Sequence, residues 1–145
     1  MVAINRTDPY KTFNFLVEIE SLVVGGFSEV SGLQAEIDVK KFREGGLNEY
    51  IHQKPGPANY PSNLVLKRGL ADLVTMWDWY MEVAQGIIIR ENGSIVLRDD
   101  TGKETWRWNF IQAYPVRWIG PNLRASTAEV AVETLELVHN GLFLA

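Results

Sequence analysis

Cysteine is absent from the 145 residues, which removes a disulfide framework, a thiolate metal site and a cysteine nucleophile together. Stability must then come from packing. Basic residues are short as well: 14 Lys and Arg stand against 18 Asp and Glu, a net charge of −4, so no broad cationic surface exists to neutralise a row of phosphates. Nucleic acid is not an expected partner. No apolar run approaches the ~18 residues a membrane helix needs, and Met1 to Tyr10, with Arg6, Asp8 and Pro9, has no stretch fit for a signal peptide. The expected product is made in the cytoplasm and does not span a membrane by itself, although a larger particle could carry it out on lysis.

Chemistry-bearing motifs are equally scarce. The two histidines, His52 and His139, lie outside any HExxH arrangement and away from other ligands at metal spacing, so both read as surface or packing residues. Asp99-Asp100 are adjacent and would point apart in a strand, with Asp100 placed as a turn residue. Glu133 and Glu136 could form an acid pair, but no third group orients them, and salt bridging is the better reading. Gly25-Gly26 and Gly45-Gly46 lack the longer glycine fingerprints of nucleotide-binding loops. Asn92-Gly93-Ser94 has the form of a glycosylation sequon and reads simply as a turn. No catalytic residue, cofactor or metal is expected.

What is present suits one folded domain over residues 1–145. The chain is 46% hydrophobic and 22% charged, ordinary for a globular protein, and shows no internal repeat or linker. Phe13, Phe15, Val17 and Ile19 alternate with Asn14, Glu18 and Glu20, the period-2 signature of a half-buried strand. Leu33, Ala35, Ile37 and Val39 repeat it against Gln34, Glu36, Asp38 and Lys40, a second strand with a wholly polar outer side. From Arg43 to Ser62 the alternation stops, and Gly45-Gly46, Pro55-Gly56-Pro57 and Pro61 predict a long irregular loop. Leu47, Tyr50, Ile51 and Tyr60 give that loop apolar material, so it is either a surface loop or a partner-binding arm.

After a short strand at 63–68, Leu70, Leu73, Val74, Trp77, Met81 and Ala84 share one stripe at helical spacing, with Gly86 as terminator. On that phase Trp79 projects from the polar side, either as a semi-exposed ring or as an intersubunit contact. Ile87-Ile88-Ile89 and Ile95-Val96-Leu97 flank Asn92-Gly93 and predict a hairpin. A strand follows with Trp106, Trp108, Phe110, Tyr114, Val116 and Trp118 on one side. The last strand, 126–139, switches its buried side near Thr134. The expected fold class is mainly β, an antiparallel β-sandwich or barrel of about six to eight strands with one α-helix near residues 70–85 and an irregular loop near 43–62.

These residues also carry a resemblance. Asp8-Pro9-Tyr10 leading into Phe13-Asn14-Phe15, then Gly26-Phe27-Ser28-Glu29-Val30-Ser31-Gly32-Leu33, resemble the start of the inner-tube proteins of contractile phage tails and of phage-like extracellular contractile injection systems. The likeness runs on through Tyr50 to Pro57, Leu66-Lys67-Arg68-Gly69-Leu70, Trp77-Asp78-Trp79, Arg107-Trp108-Asn109-Phe110, Ala113-Tyr114-Pro115-Val116 and Glu136 to Leu142. The resemblance implies a structural subunit forming hexameric rings that stack into a hollow tube. A contracting sheath would drive that tube, tipped by a spike and based on a baseplate, through a target envelope, with possible protein cargo in the lumen. Under that reading Arg43, Leu47, Tyr50, Ile51, Tyr60 and Trp79 are expected at subunit or ring interfaces. Asn14, Glu18, Glu20, Gln34, Glu36, Asp38 and Lys40 are expected to face the lumen. The protein would then belong to a virion or an extracellular tail-like particle.

Two readings compete. A small β-barrel could bind an apolar ligand on the aromatic side of 106–118, and an enzyme would have only scattered carboxylates to work with. Within the tube reading, a specialised baseplate ring, a phage tail-tube protein and a type VI tube remain alternatives.

Overall fold

The computed structural model describes residues 14–20, 22, 26–42 and 52–145. In chain order the elements are β1 (Phe15–Ile19), β2 (Glu29–Ser31), β3 (Glu36–Phe42), β4 (His52–Asn59), β5 (Leu64–Gly69), α1 (Thr75–Ala84), β6 (Glu91–Arg98), β7 (Glu104–Ile119), β8 (Val132–Val138) and β9 (Gly141–Leu144). All pairings are antiparallel. The mainly β class, with one helix among the described residues, is as expected. The principal sheet has seven strands in the order β1-β6-β7-β8-β5-β2, with β9 also on β7, and it does not close into a barrel.

The long strand β7, 16 residues, organises everything else. Its first half pairs with β6 and β9, its second half with β8. Between the halves, Gln112 takes a φ of 51°, and its N–H donates to the Asn92 side chain at 2.9 Å. The register with β6 slips there, from Phe110 opposite Gly93 to Ala113 opposite Glu91. Such a bulge re-aims the side chains that follow. Phe110 is buried before it, Ala113 after it, and Val116 is exposed, so the expected unbroken aromatic side from Trp106 to Trp118 is broken. The core draws Val17, Ile19, Ile95 and Phe110 from one half-sheet, Leu64, Leu66, Leu135 and Leu137 from the other, and Met76 and Trp79 from the helix.

Several expectations need correction. The helix begins at Thr75, so Leu70, Leu73 and Val74 precede it and are exposed. Its buried residues are Met76 and Trp79, whereas Trp77 is 40% exposed. The helix is apolar nearly all round, and a phase set from Leu70 misassigned its inner side. Trp79 is 2% exposed and donates its indole N–H to the Ile89 carbonyl at 3.1 Å. It is a core residue of its own subunit, not a ring on the polar side.

The second half of the predicted loop is a strand, β4, paired with β3 in a separate two-stranded sheet. Proline is tolerated there because, among the described residues, the pair has no third strand, and the register shifts between Ile37 and Val39. At Gly56 a Cβ would sit 2.6 Å from the Asp38 carbonyl oxygen, which fixes glycine at that irregularity. Asn92-Gly93 does not turn: it lies inside β6, and Ile87–Ile89 form no strand. Gly93 is required by packing, since a Cβ would fall 2.3 Å from the Phe110 ring and 2.5 Å from the Glu18 carbonyl oxygen.

The inner side of β8 does not switch either. Glu133, Leu135 and Leu137 are all buried, and Val130 lies before the strand at 81% exposure. A buried carboxylate had disguised one continuous inward row.

Candidate functional site

Among the described residues no group of three or more His, Asp or Glu could hold a metal. The carboxylates examined for chemistry have structural partners. Glu133 accepts from Arg68 Nε at 2.5 Å and from Trp118 Nε1 at 3.2 Å. Arg68 also donates to the Leu73 carbonyl at 3.0 Å and lies over the Phe27 ring. Glu136 points the other way and pairs with Arg117 at 3.8 Å. Asp99 accepts from the Thr101 hydroxyl and the Thr101 and Lys103 backbone N–H groups, and the Thr101 hydroxyl leads in holding its carboxyl below the usual value. That is turn chemistry.

His139 packs against Tyr60, ring centroids 5.1 Å apart. Burial lowers its pKa from the ordinary imidazole value, and neither ring nitrogen has a side-chain hydrogen-bond partner among the described residues. It reads as a packing residue at the root of the β3–β4 hairpin. The same root is tied by Ser62 Oγ donating to the Gln34 side chain and by Asn59 Nδ2 donating to Glu36 at 3.2 Å.

The surfaces available for assembly are therefore the matter of interest. The first is the solvent side of the half-sheet β1-β6-β7-β9. Register places Glu18 opposite Ser94 and Ser94 opposite Asn109, and the Ser94 hydroxyl donates to Asn109 at 2.7 Å. Arg107 bridges Glu18 at 3.0 Å and Glu104 at 2.6 Å, and those two carboxylates hold its guanidinium pKa above the usual value. Of the residues expected to face a lumen, Glu18 and Glu20 are exposed on this side. Asn14 instead ties down the start of β1, donating to the Asp99 carbonyl at 2.8 Å.

Gln34, Glu36 and Asp38 are exposed but precede or lie on β3, on the other sheet. Among the expected lumen residues whose side chains are described, Glu18 and Glu20 therefore lie with the main sheet, and Gln34, Glu36 and Asp38 on or just before β3. The side chain of Lys40, like Arg43, Leu47, Tyr50 and Ile51, lies outside the described residues. Tyr60 is half-buried against His139. Ser94 and Asn109, opposite one another in β6 and β7, and Arg107, opposite Val96, are absent from the expected lumen set.

The second surface is apolar. Ile37 and Val39 are 59% and 54% exposed, although alternation alone marks them as buried. Leu73, Val74 and Trp77 add an uncovered patch on and before α1. These are large apolar groups left over after one subunit has folded, as expected of a chain whose burial is completed by neighbours.

The described residues thus form an antiparallel sheet with open edges, one helix and uncovered apolar surfaces. The family model for the T4-like virus tail tube protein gp19 matches residues 11–143, and the chain belongs to that family as a structural tube subunit. Among solved structures it is similar to a chain of the anti-feeding prophage baseplate, at 25% identity and a TM-score of 0.83, with 97% of each chain covered. It is also similar to a chain of the PVC sheath-tube complex, an extracellular contractile injection system in its extended state, at 24% identity and a TM-score of 0.82, covering 94% of this chain and 91% of that one. Hcp1 from Flavobacterium johnsoniae has the same fold more distantly, at 11% identity and a TM-score of 0.54 over 89% and 94% of the two chains. A comparison with curated proteins gives no match.

Proposed function

We propose that this chain forms hexameric rings that stack into the hollow inner tube of a contractile injection particle, a non-enzymatic role in which sheath contraction drives the tube through a target envelope. The observation that carries the reading is the strand direction in β1-β6-β7-β9. Each neighbour is antiparallel, so across four strands β1 and β9 run in opposite senses. Among the described residues β1 pairs in the sheet only with β6, and β9 only with β7. Rotating a copy about a ring axis sets β9 beside the next copy's β1 in antiparallel pairing. Every seam then continues the sheet, and open edges vanish on closure.

In that ring the polar side with Glu18, Glu20, Ser94, Arg107 and Asn109 lines the lumen, where cargo would pass. The loop carrying Arg43, Leu47, Tyr50 and Ile51 reaches a neighbouring subunit or ring. Sheath, spike and baseplate proteins are the expected partners, and the particle is a phage tail or an extracellular tail-like device. Negative-stain microscopy of the purified protein, alone and with its sheath and spike, tests this. Annuli of six and hollow tubes are the expected images; a monodisperse single chain at high concentration in all mixtures overturns the proposal.

A further inference from the structure

We propose that the β3–β4 hairpin is an arm hinged on the main sheet and released by acid, with the imidazole of His139 beneath Tyr60 as the pin. Among the described residues the two strands of the arm pair only with each other, and they pack chiefly on each other. Two strands so placed have little support of their own, and the direction of the arm is set at its root. There Ser62 Oγ donates to Gln34 and Asn59 Nδ2 to Glu36, bonds that join one leg of the arm to the other without fixing either to the main sheet. Tyr60 makes that connection: its ring lies against His139, centroids 5.1 Å apart and planes inclined at 56°. His139 is itself well anchored. It follows β8 and, with Asn140, forms the corner into β9, where the Asn140 N–H donates to the Ile111 carbonyl at 2.9 Å.

The pin is sensitive to charge. Both ring nitrogens are buried without a hydrogen-bond partner among the described residues, a setting that suits the neutral imidazole and penalises the cation. Its surroundings supply no counter-charge. Tyr60 brings a neutral phenol from the connection between β4 and β5. On the outer side of β8, Glu136 is paired with Arg117, and Arg90 covers Tyr114. The core-facing pair Arg68 and Glu133 stands at the other end of the β5–β8 ladder, which runs from there to Leu64 opposite Leu137. Carrying the β7–β8 register one step past Tyr114 and Val138 sets Ala113 opposite His139, with Glu91 beyond Ala113 on β6. That carboxylate does not rescue the charged ring: burial leads in lowering the His139 pKa, and the Gly141 backbone alone opposes it. The docked arm is therefore favoured at neutral pH and lost as pH falls from the ordinary 6.5 through the lower folded value.

The absence of cysteine allows spin labels to be placed at Ala58→Cys on the arm and Asp78→Cys on α1, both exposed, in full-length subunits kept dilute. Pulsed electron paramagnetic resonance should give one narrow distance at pH 7.5 and a broad distribution at pH 5, with circular dichroism unchanged. His139→Phe, which keeps a ring under Tyr60 and forfeits no hydrogen bond, should stay narrow at both values, and Tyr60→Ala should be broad at both. His52→Gln removes the other histidine, which lies on β4, and should respond as the parent does. A parent distribution that does not change with pH, a His139→Phe variant that broadens like the parent, a response abolished by His52→Gln, or broadening that accompanies loss of circular dichroism overturns the hinge. Should His139→Phe fail to fold, nuclear magnetic resonance of the parent decides: the His139 imidazole and the label distance should titrate with one midpoint below 6.5, and separate midpoints overturn the proposal.

Discussion

At the scale of single residues, the sequence was misleading wherever a buried polar group imitated an exposed one. Glu133 is the main case: a carboxylate on the inward row of β8 reads as a change of side, because its partner Arg68 is 65 positions away in sequence and no local pattern links them. Removing one member of a buried pair strands the other. Glu133→Gln should therefore cost about 3–5 kcal/mol in urea unfolding, whereas replacing both Arg68 and Glu133 by apolar residues should recover much of it. Gly93 was misread as a turn residue for a similar reason, since the Phe110 ring that needs its empty side is on another strand. Gly93→Ala should lower stability by about 1–3 kcal/mol through overpacking, seen as a reduced melting temperature. His139, expected as a surface or packing residue, packs against Tyr60 and sets a pH dependence. Its folded pKa is depressed by burial below the ordinary 6.5, so the folded state favours the neutral ring. That contribution is full above pH 6.5 and is lost as pH falls from there through the folded value. Subunit melts between pH 7.5 and 5 should fall more steeply for wild type than for His139→Phe.

At the scale of elements, clean alternation located strands but not always their buried side, since Ile37 and Val39 are exposed, and punctuation was less informative still. The strands at 15–19 and 36–42, and the turn around Asp99 to Gly102, were legible because period and turn chemistry are local. The strand β4 was hidden by Pro55 and Pro57, which are excluded from central strands but not from a pair with free outer edges. The helix was found but set in the wrong phase, because its stripe was counted from Leu70, which precedes it, and its polar residues Thr75, Asp78 and Glu82 do not lie opposite the buried Met76 and Trp79. Its corrected phase changes a mutational expectation. Trp79→Ala removes a core side chain and its bond to Ile89, so it should cost about 3–5 kcal/mol in a subunit kept too dilute to assemble. Trp77→Ala removes a half-exposed ring that stands edge-on to Trp118 at 4.7 Å, so it should cost the dilute subunit about 1–2 kcal/mol, less than Trp79→Ala. Thermal melts of the two dilute variants separate these outcomes.

At the scale of the whole molecule, the antiparallel class and the apolar surplus were legible, but the way the sheet ends was not. Open edges depend on which strands pair, and β9 joins β7 only because the bulge at Gln112 divides that strand between two sets of partners. Along β9, Ala145 donates its N–H to Arg107 at 2.9 Å, so by alternation Leu142 and Leu144 turn theirs toward the free edge. Leu144→Pro removes one of those outward donors. It should leave the circular dichroism of the dilute subunit nearly unchanged and abolish rings in micrographs.

In the proposed ring, the opposed sense of β1 and β9 also sets how it would grow. Each chain joining an arc makes a single new seam, but the chain that closes the circle makes two at once, and its arrival leaves no unsatisfied donors behind. Partial arcs should consequently be scarce at any concentration, with complete annuli and free subunits dominating a sedimentation profile.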